Sequence, residues 1–192
     1  MRSANILGAN CTPPASLPLI ERSHKSETAT SRAVYSDCEG YRYLLTREWG
    51  DGPRLLYIML NPSKATEQQN DPTVERCEQR ARRLGFGAFG VVNIFAWRET
   101  HPKLMRLAAD PNGPENNTQL LEACRWADVV ICGWGTHGLH LDRGHEVAIL
   151  LRQNGVKLHH LGLTKDGHPR HPLYISYATQ PTHWEHGGSV DC

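Results

Sequence analysis

The longest uninterrupted apolar signal in the chain is Arg54 to Leu60, RLLYIML, where branched and aromatic residues follow one another without alternating with polar ones. A half-exposed strand would alternate, so this run, bounded by Gly52-Pro53 and Asn61-Pro62, predicts a strand buried on both faces. Pro62 has no backbone donor and holds Asn61 in an extended or turn conformation, which ends the strand. The Asn61 side chain is thereby expected at the carboxyl edge of a sheet, where open α/β sheets bind their ligands.

Upstream, YRYLLTREW (41–49) has strand composition and is followed by Gly50-Asp51-Gly52, so the two strands are expected to form an antiparallel hairpin at the sheet edge. Downstream, Asp71-Pro72-Thr73 offers a capping carboxylate and a first-turn proline. Val74, Cys77, Ala81 and Leu84 then recur on one helical face, and Gly85 stands where a C-cap glycine belongs. Arg76, Arg80 and Arg83 fall on the opposite face and read as a solvated surface, with a phosphate-facing patch as the alternative.

Further strands are expected over 90–95 (GVVNIF), 128–134 (DVVICGW) and 156–163 (VKLHHLGL). Helices are expected within 101–110, 113–128 and 142–154. Alternating strands and helices specify an α/β domain, read as a three-layer α/β/α sandwich with a mainly parallel central sheet. Asn93 is a polar residue inside an apolar strand, so its amide either finds backbone partners or faces a ligand.

Residues 1–34 are rich in Ser, Thr, Pro and Ala without apolar periodicity and read as a disordered extension. A single domain is expected over 35–178, with a flexible tail over 179–192. The 192 residues, 39% hydrophobic and 21% charged, suit one core of ordinary size. Twenty-one Lys and Arg against 20 Asp and Glu give a net charge of +1, so any nucleic-acid contact needs a local patch. Six cysteines without C-x-x-C spacing argue against a disulfide framework or zinc knuckle and favour a reducing cytoplasm. No apolar run approaches the roughly 20 residues of a membrane span, and without a charged-then-apolar start no signal sequence is expected.

Gly85 to Gly90 matches G-x-G-x-x-G, but it follows a helix and opens a strand, the reverse of a dinucleotide fingerprint. No cofactor is therefore expected. Eleven histidines raise the question of a metal, yet His159 and His160 are adjacent on a strand and face opposite sides. His168 and His171 sit on a proline-bracketed loop without an H-E-x-x-H or carboxylate cluster, so no metal site is expected.

The polar residues at strand ends form a series: Asn61, Asn93, Trp134 to His137, and His168 with His171. In a parallel sheet these ends share one cleft. The ordered motifs LNPS, D-P-T, VVN-x-F, W-G-x-H-G and HPRHPLY, spread over about Tyr41 to Tyr177, resemble an uncharacterised bacterial and phage family known only as a domain of unknown function. More remotely, their order is similar to the uracil-DNA glycosylase superfamily. That resemblance implies a water-positioning role for Asn61, a base-reading role for Asn93 and a leaving-base role for His171 or His168. Phe95, Trp97, Ser63, Trp134 and His137 would complete the base-binding surface, with Phe95 or Trp97 stacking on a flipped base. Leu60 and Ser63 stand where the superfamily motif has glycines.

Two functions follow from the resemblance. The first is hydrolysis of an N-glycosidic bond to a modified or damaged base, in nucleic acid or a nucleoside derivative. The second is a non-catalytic module that binds a nucleotide or modified base in the same cleft. A metal-assisted hydrolase is a third, weaker reading.

Overall fold

The Arg54–Leu60 run forms the centre of the molecule. In the computed structural model, which describes residues 18–185, the strands are β1 (Leu19–Lys25), β2 (Thr30–Ser36), β3 (Arg42–Glu48), β4 (Arg54–Met59), β5 (Ala88–Asn93), β6 (Val129–Cys132), β7 (Leu158–His160) and β8 (Thr182–His183). The helices are α1 (Pro72–Arg83), α2 (Pro102–Met105), α3 (Asn116–Trp126) and α4 (Arg143–Gln153). All eight strands form one sheet in the order β1-β2-β3-β5-β4-β6-β7-β8. The fold is α/β, but the sheet is mixed: β5-β4-β6-β7 are parallel, while antiparallel pairings outnumber the parallel ones. The expectation of a mainly parallel sheet is corrected accordingly.

Alternate residues of the Arg54–Leu60 run serve two cores. Leu55, Tyr57 and Met59 pack with Val74, Cys77 and Ala81 of α1, whereas Leu56, Ile58 and Leu60 pack with Leu120 and Cys124 of α3 and Val147 and Leu151 of α4. The α1 start is the expected one, with Asp71 accepting from Thr73 N at 3.0 Å and Val74 N at 2.9 Å. Gly85 follows in the left-handed region at φ +82°.

The expected β3–β4 hairpin is absent, because β5 lies between the two strands. The Gly50–Pro53 connection crosses the start of β5, where Trp49 N and Gly50 N donate to Gly87 O and Gly87 N donates to Pro53 O. A Cβ on Gly87 would lie 2.2 Å from Gly52 N, so the crossing requires glycine. Turn residues specify that the chain reverses, not which strand becomes its neighbour.

Two segments expected outside the fold lie in the sheet. Residues 19–36 form β1 and β2, and Thr182–His183 pairs with β7, with Trp184 buried 5.5 Å from Trp134 between ring centres. Residues 1–17 and 186–192 lie outside the described residues. β1 escaped notice because it is an edge strand exposed almost throughout, so no buried face imposes a period on it. β2 differs, burying Ala33, Val34 and Tyr35. Deleting residues through Lys25 is therefore expected to cost little. Deleting through Tyr35 removes about 3–6 kcal/mol of apolar burial and should lower the thermal midpoint by about 10 °C or more. Melts of the two truncations check this, and equal midpoints would show that β2 adds nothing to the core.

The arginine face of α1 is solvated only at Arg83; Arg76 is half-buried and Arg80 buried, both bonded to backbone carbonyls rather than turned to a phosphate. Arg80 is fully buried and donates to Ile175 O at 2.8 Å, Ser176 O at 2.8 Å and Thr179 O at 3.2 Å. Arg76 donates to Ile175 O, and the Arg76 and Arg83 guanidiniums stack on Tyr177. This face straps down the segment 175–179. No helix among the described residues is long and apolar enough to cross a membrane.

Candidate functional site

The connection after β4 runs to α1 on one face of the sheet, whereas that after β6 runs to α4 on the other. The two loops part at the carboxyl ends of these neighbouring strands, which is where an open α/β sheet leaves a crevice. A cavity of about 810 Å³ occupies that position, within the roughly 300–1,000 Å³ of small-molecule sites. Its wall draws on the segments after β4, β5 and β6, the first turn of α1, and residues 164–175.

Asn61, Ser63, Asn93, Trp134, His137 and His171 all line it. Asn93 ends β5 and is 1% exposed, and neither its side-chain Nδ2 nor its side-chain Oδ1 has a hydrogen-bond partner among the described residues. Asn61 is partly committed, its amide nitrogen donating to Glu99 O and Pro62 O. That bond ties the loop after β4 to the loop after β5. Ser63 Oγ bonds Thr100 Oγ1 at 3.3 Å along the same seam. Trp134 is held in the wall by Gly138 and Gly144, whose missing Cβ atoms leave room for the indole. His137 Nδ1 lies 2.8 Å from Arg106 Nη2.

His171 caps the short 3-10 turn Pro172–Tyr174, its Nδ1 accepting from Leu173 N at 3.4 Å. Of the two loop histidines it alone lines the cavity. His168 instead closes a turn with Thr164, donating its backbone N–H to Thr164 Oγ1.

Phe95 and Trp97 are also outside the wall. β5 ends at Asn93, the chain turns so that Phe95 N donates to Leu60 O, and the Phe95 ring enters the core beside His140. Trp97 packs edge-on against Tyr41 at 5.3 Å. The aromatic residue that sequence reasoning missed is Tyr174, 89% exposed on the cavity wall. Arg42 was missed as well: it reads as an ordinary strand residue, yet it is 2% exposed, lines the cavity and donates to Ala65 O. Burial pushes its guanidinium down to about 10. Among the described residues no group of three or more His, Cys, Asp or Glu side chains is placed to hold a metal ion.

Burial lowers the pKa of His171, against a smaller raising effect of Asp71, and burial followed by the charge of His159 lowers that of His160. Geometry agrees, since each ring accepts a backbone N–H at Nδ1, from Leu173 and from Gly162, and protonation there would break the bond. Both folded-state pKa values lie below the ordinary 6.5, so the unfolded chain takes up protons first as pH falls. Stability present above pH 6.5 is expected to be lost as pH falls through the folded values. Urea midpoints between pH 8 and pH 5 measure this, and a His160→Asn variant should show a shallower acid slope than wild type. An unchanged slope would show that His160 does not contribute to the acid sensitivity.

Comparison with known proteins adds one family. The model of a family described as "Protein of unknown function (DUF1643)" matches residues 42–173. No curated protein and no solved structure matches the chain. The matched region takes in the parallel strands and the cavity wall from Arg42 to Leu173, and the chain therefore belongs to the DUF1643 family.

Proposed function

We propose that the cavity receives a modified or damaged base against Asn93 and that the protein hydrolyses the N-glycosidic bond holding it. The architecture would be the three-layer α/β/α type of the uracil-DNA glycosylase superfamily. The observation that carries this reading is the Asn93 amide, buried in the cavity wall with both polar atoms unpaired. An unpaired buried group costs about 1–3 kcal/mol and is rare in folded proteins unless it serves a purpose. A donor beside an acceptor is also what reading a base edge requires. The amide atoms expose almost no surface, so the surrounding wall has to give way as the base enters.

In the reaction the bond between the sugar C1′ and the base nitrogen breaks, with both electrons leaving on the base. Water supplies the oxygen that bonds C1′, and the proton it gives up passes through solvent to the departing base, which leaves neutral. Because His171 accepts a backbone N–H at Nδ1, its neutral ring carries the proton on Nε2 and offers an N–H to the departing base. With its amide nitrogen held by Glu99 O, Asn61 has its carboxamide oxygen to orient the water. Trp134 and Tyr174 take over the stacking role first assigned to Phe95 and Trp97.

One observation favours the second reading, a non-catalytic base-binding module. Both carboxylates of the wall are engaged by backbone donors, Asp71 by Thr73 and Val74 and Glu99 by Thr100 and His101. This weakens them as general bases, and a hydrolase built this way relies on leaving-group stabilisation and is slow.

Both readings require Asn93 to select the base. Asn93→Ala should weaken binding of the preferred nucleoside or nucleotide about ten- to a hundredfold, equivalent to about 1–3 kcal/mol, and flatten discrimination among bases. Titration of a panel of modified nucleosides measures both. Undiminished selectivity in Asn93→Ala would remove the basis of the proposal.

A further inference from the structure

We propose that Arg42, Lys64 and Arg170 form an anion subsite in the same cavity, which takes a phosphate esterified to the sugar of the base. The ligand would then be a nucleotide rather than a free nucleoside. This rests on the base-binding reading above and narrows its substrate class.

Three cations, Arg42, Lys64 and Arg170, and two carboxylates, Asp71 and Glu99, face the cavity. The carboxylates are turned to backbone donors, but no carboxylate pairs with any of the three cations among the described residues. Arg42 is the informative member. It is 98% removed from solvent, it donates through Nη1 to one carbonyl, Ala65 O, and its Nε has no partner. A guanidinium taken out of water with no carboxylate bonded to it, and only the more distant charge of Asp71 acting on it, is costly, because buried charges are normally paired directly.

Arg42 also stands beside the base site, because its backbone N–H donates to Ala96 O just beyond Asn93. Lys64 and Arg170 are exposed members of the same wall. A planar fork in a wall that carries two further cations suits the several oxygens of a phosphate better than a single carboxylate. The cavity, at about 810 Å³, has room for a sugar phosphate beside a base.

The test titrates the full chain with inorganic phosphate, with nucleosides, with the matching 5′-monophosphates and with short oligonucleotides carrying the same base. Inorganic phosphate should raise the melting temperature, and monophosphates should bind about tenfold or more tighter than nucleosides. That advantage should shrink with added salt. Arg42→Met removes the central charge but also frees the Ala65 carbonyl, so the decisive variant is Lys64→Ala with Arg170→Ala, whose side chains are exposed. The double variant should keep the ligand-free melting temperature and lose most of the phosphate preference.

Tighter binding of the oligonucleotide than of the monophosphate would assign the phosphate to a strand, and the reverse to a free nucleotide; both support the subsite. Equal affinity for nucleoside and monophosphate, or a preference that survives the double variant, overturns it. Phosphate binding lost in the double variant, without base release by wild type, would uphold the subsite and reject the hydrolase. Equal base release from nucleosides and nucleotides would do the opposite.

Discussion

His171→Ala is expected to lower base release by about 10²-fold or more while leaving substrate binding nearly intact. The reason lies in when the interaction forms. The leaving base acquires negative charge only as the glycosidic bond lengthens, so an N–H on Nε2 contributes mainly in the transition state. Burial keeps the ring neutral and the Leu173 N–H occupies Nδ1, which fixes the tautomer that donates from Nε2. Asn61→Ala should behave similarly, since an oriented water matters once cleavage begins. Single-turnover rates and equilibrium binding, measured side by side, separate these effects. A His171→Ala protein that loses binding as much as turnover would make His171 a ground-state contact.

Arg80→Ala is expected to be the most damaging substitution outside the cavity. Its buried guanidinium serves three carbonyls of the segment 175–179, and truncation leaves all three without that donor. Hydrogen bonds to charged groups contribute about 1.5–3 kcal/mol each, and the freed segment regains part of this from water, leaving a loss of about 3 kcal/mol or more. For a domain of this size that corresponds to roughly 6–12 °C in the thermal midpoint. Turnover should fall as well, because the strap begins four residues after His171 and holds its turn against α1. Arg80→Lys cannot reproduce the fork and should recover only part of the loss. Arg83→Ala, which gives up a stacking contact with Tyr177, should cost about 1 kcal/mol or less. Thermal melts of the three variants give the order directly, and an Arg80→Ala midpoint within a degree of wild type would contradict it.

What could be read from the sequence was local. The β4 run, the Asp71 cap and the Val74-Cys77-Ala81 face are short-range patterns with a direct physical cause, and each appears where the pattern put it. The gathering of Asn61, Asn93 and His171 around one cavity follows from strand ends sharing an edge. What escaped was non-local or lacked a pattern. The insertion of β5 between β3 and β4 depends on a glycine crossing at Gly52 and Gly87, and exposed β1 carries no period. Arg76 and Arg80 of α1 resemble a solvated face because their partners are backbone carbonyls, which leave no trace in side-chain chemistry. Phe95 lies outside the wall because β5 stops at Asn93, so a residue two positions further on no longer shares its face.

Product analysis tests hydrolysis most directly. Wild-type protein is incubated with nucleotides and oligonucleotides carrying modified bases, and free base is quantified by chromatography. Slow release of one class of base together with the abasic sugar is expected, lowered about 10²-fold or more in His171→Ala and reduced in Asn93→Ala. No release from any substrate, with Asn61→Ala, Asn93→Ala and His171→Ala all losing binding to the same degree, would contradict hydrolysis and leave a protein that only binds the base.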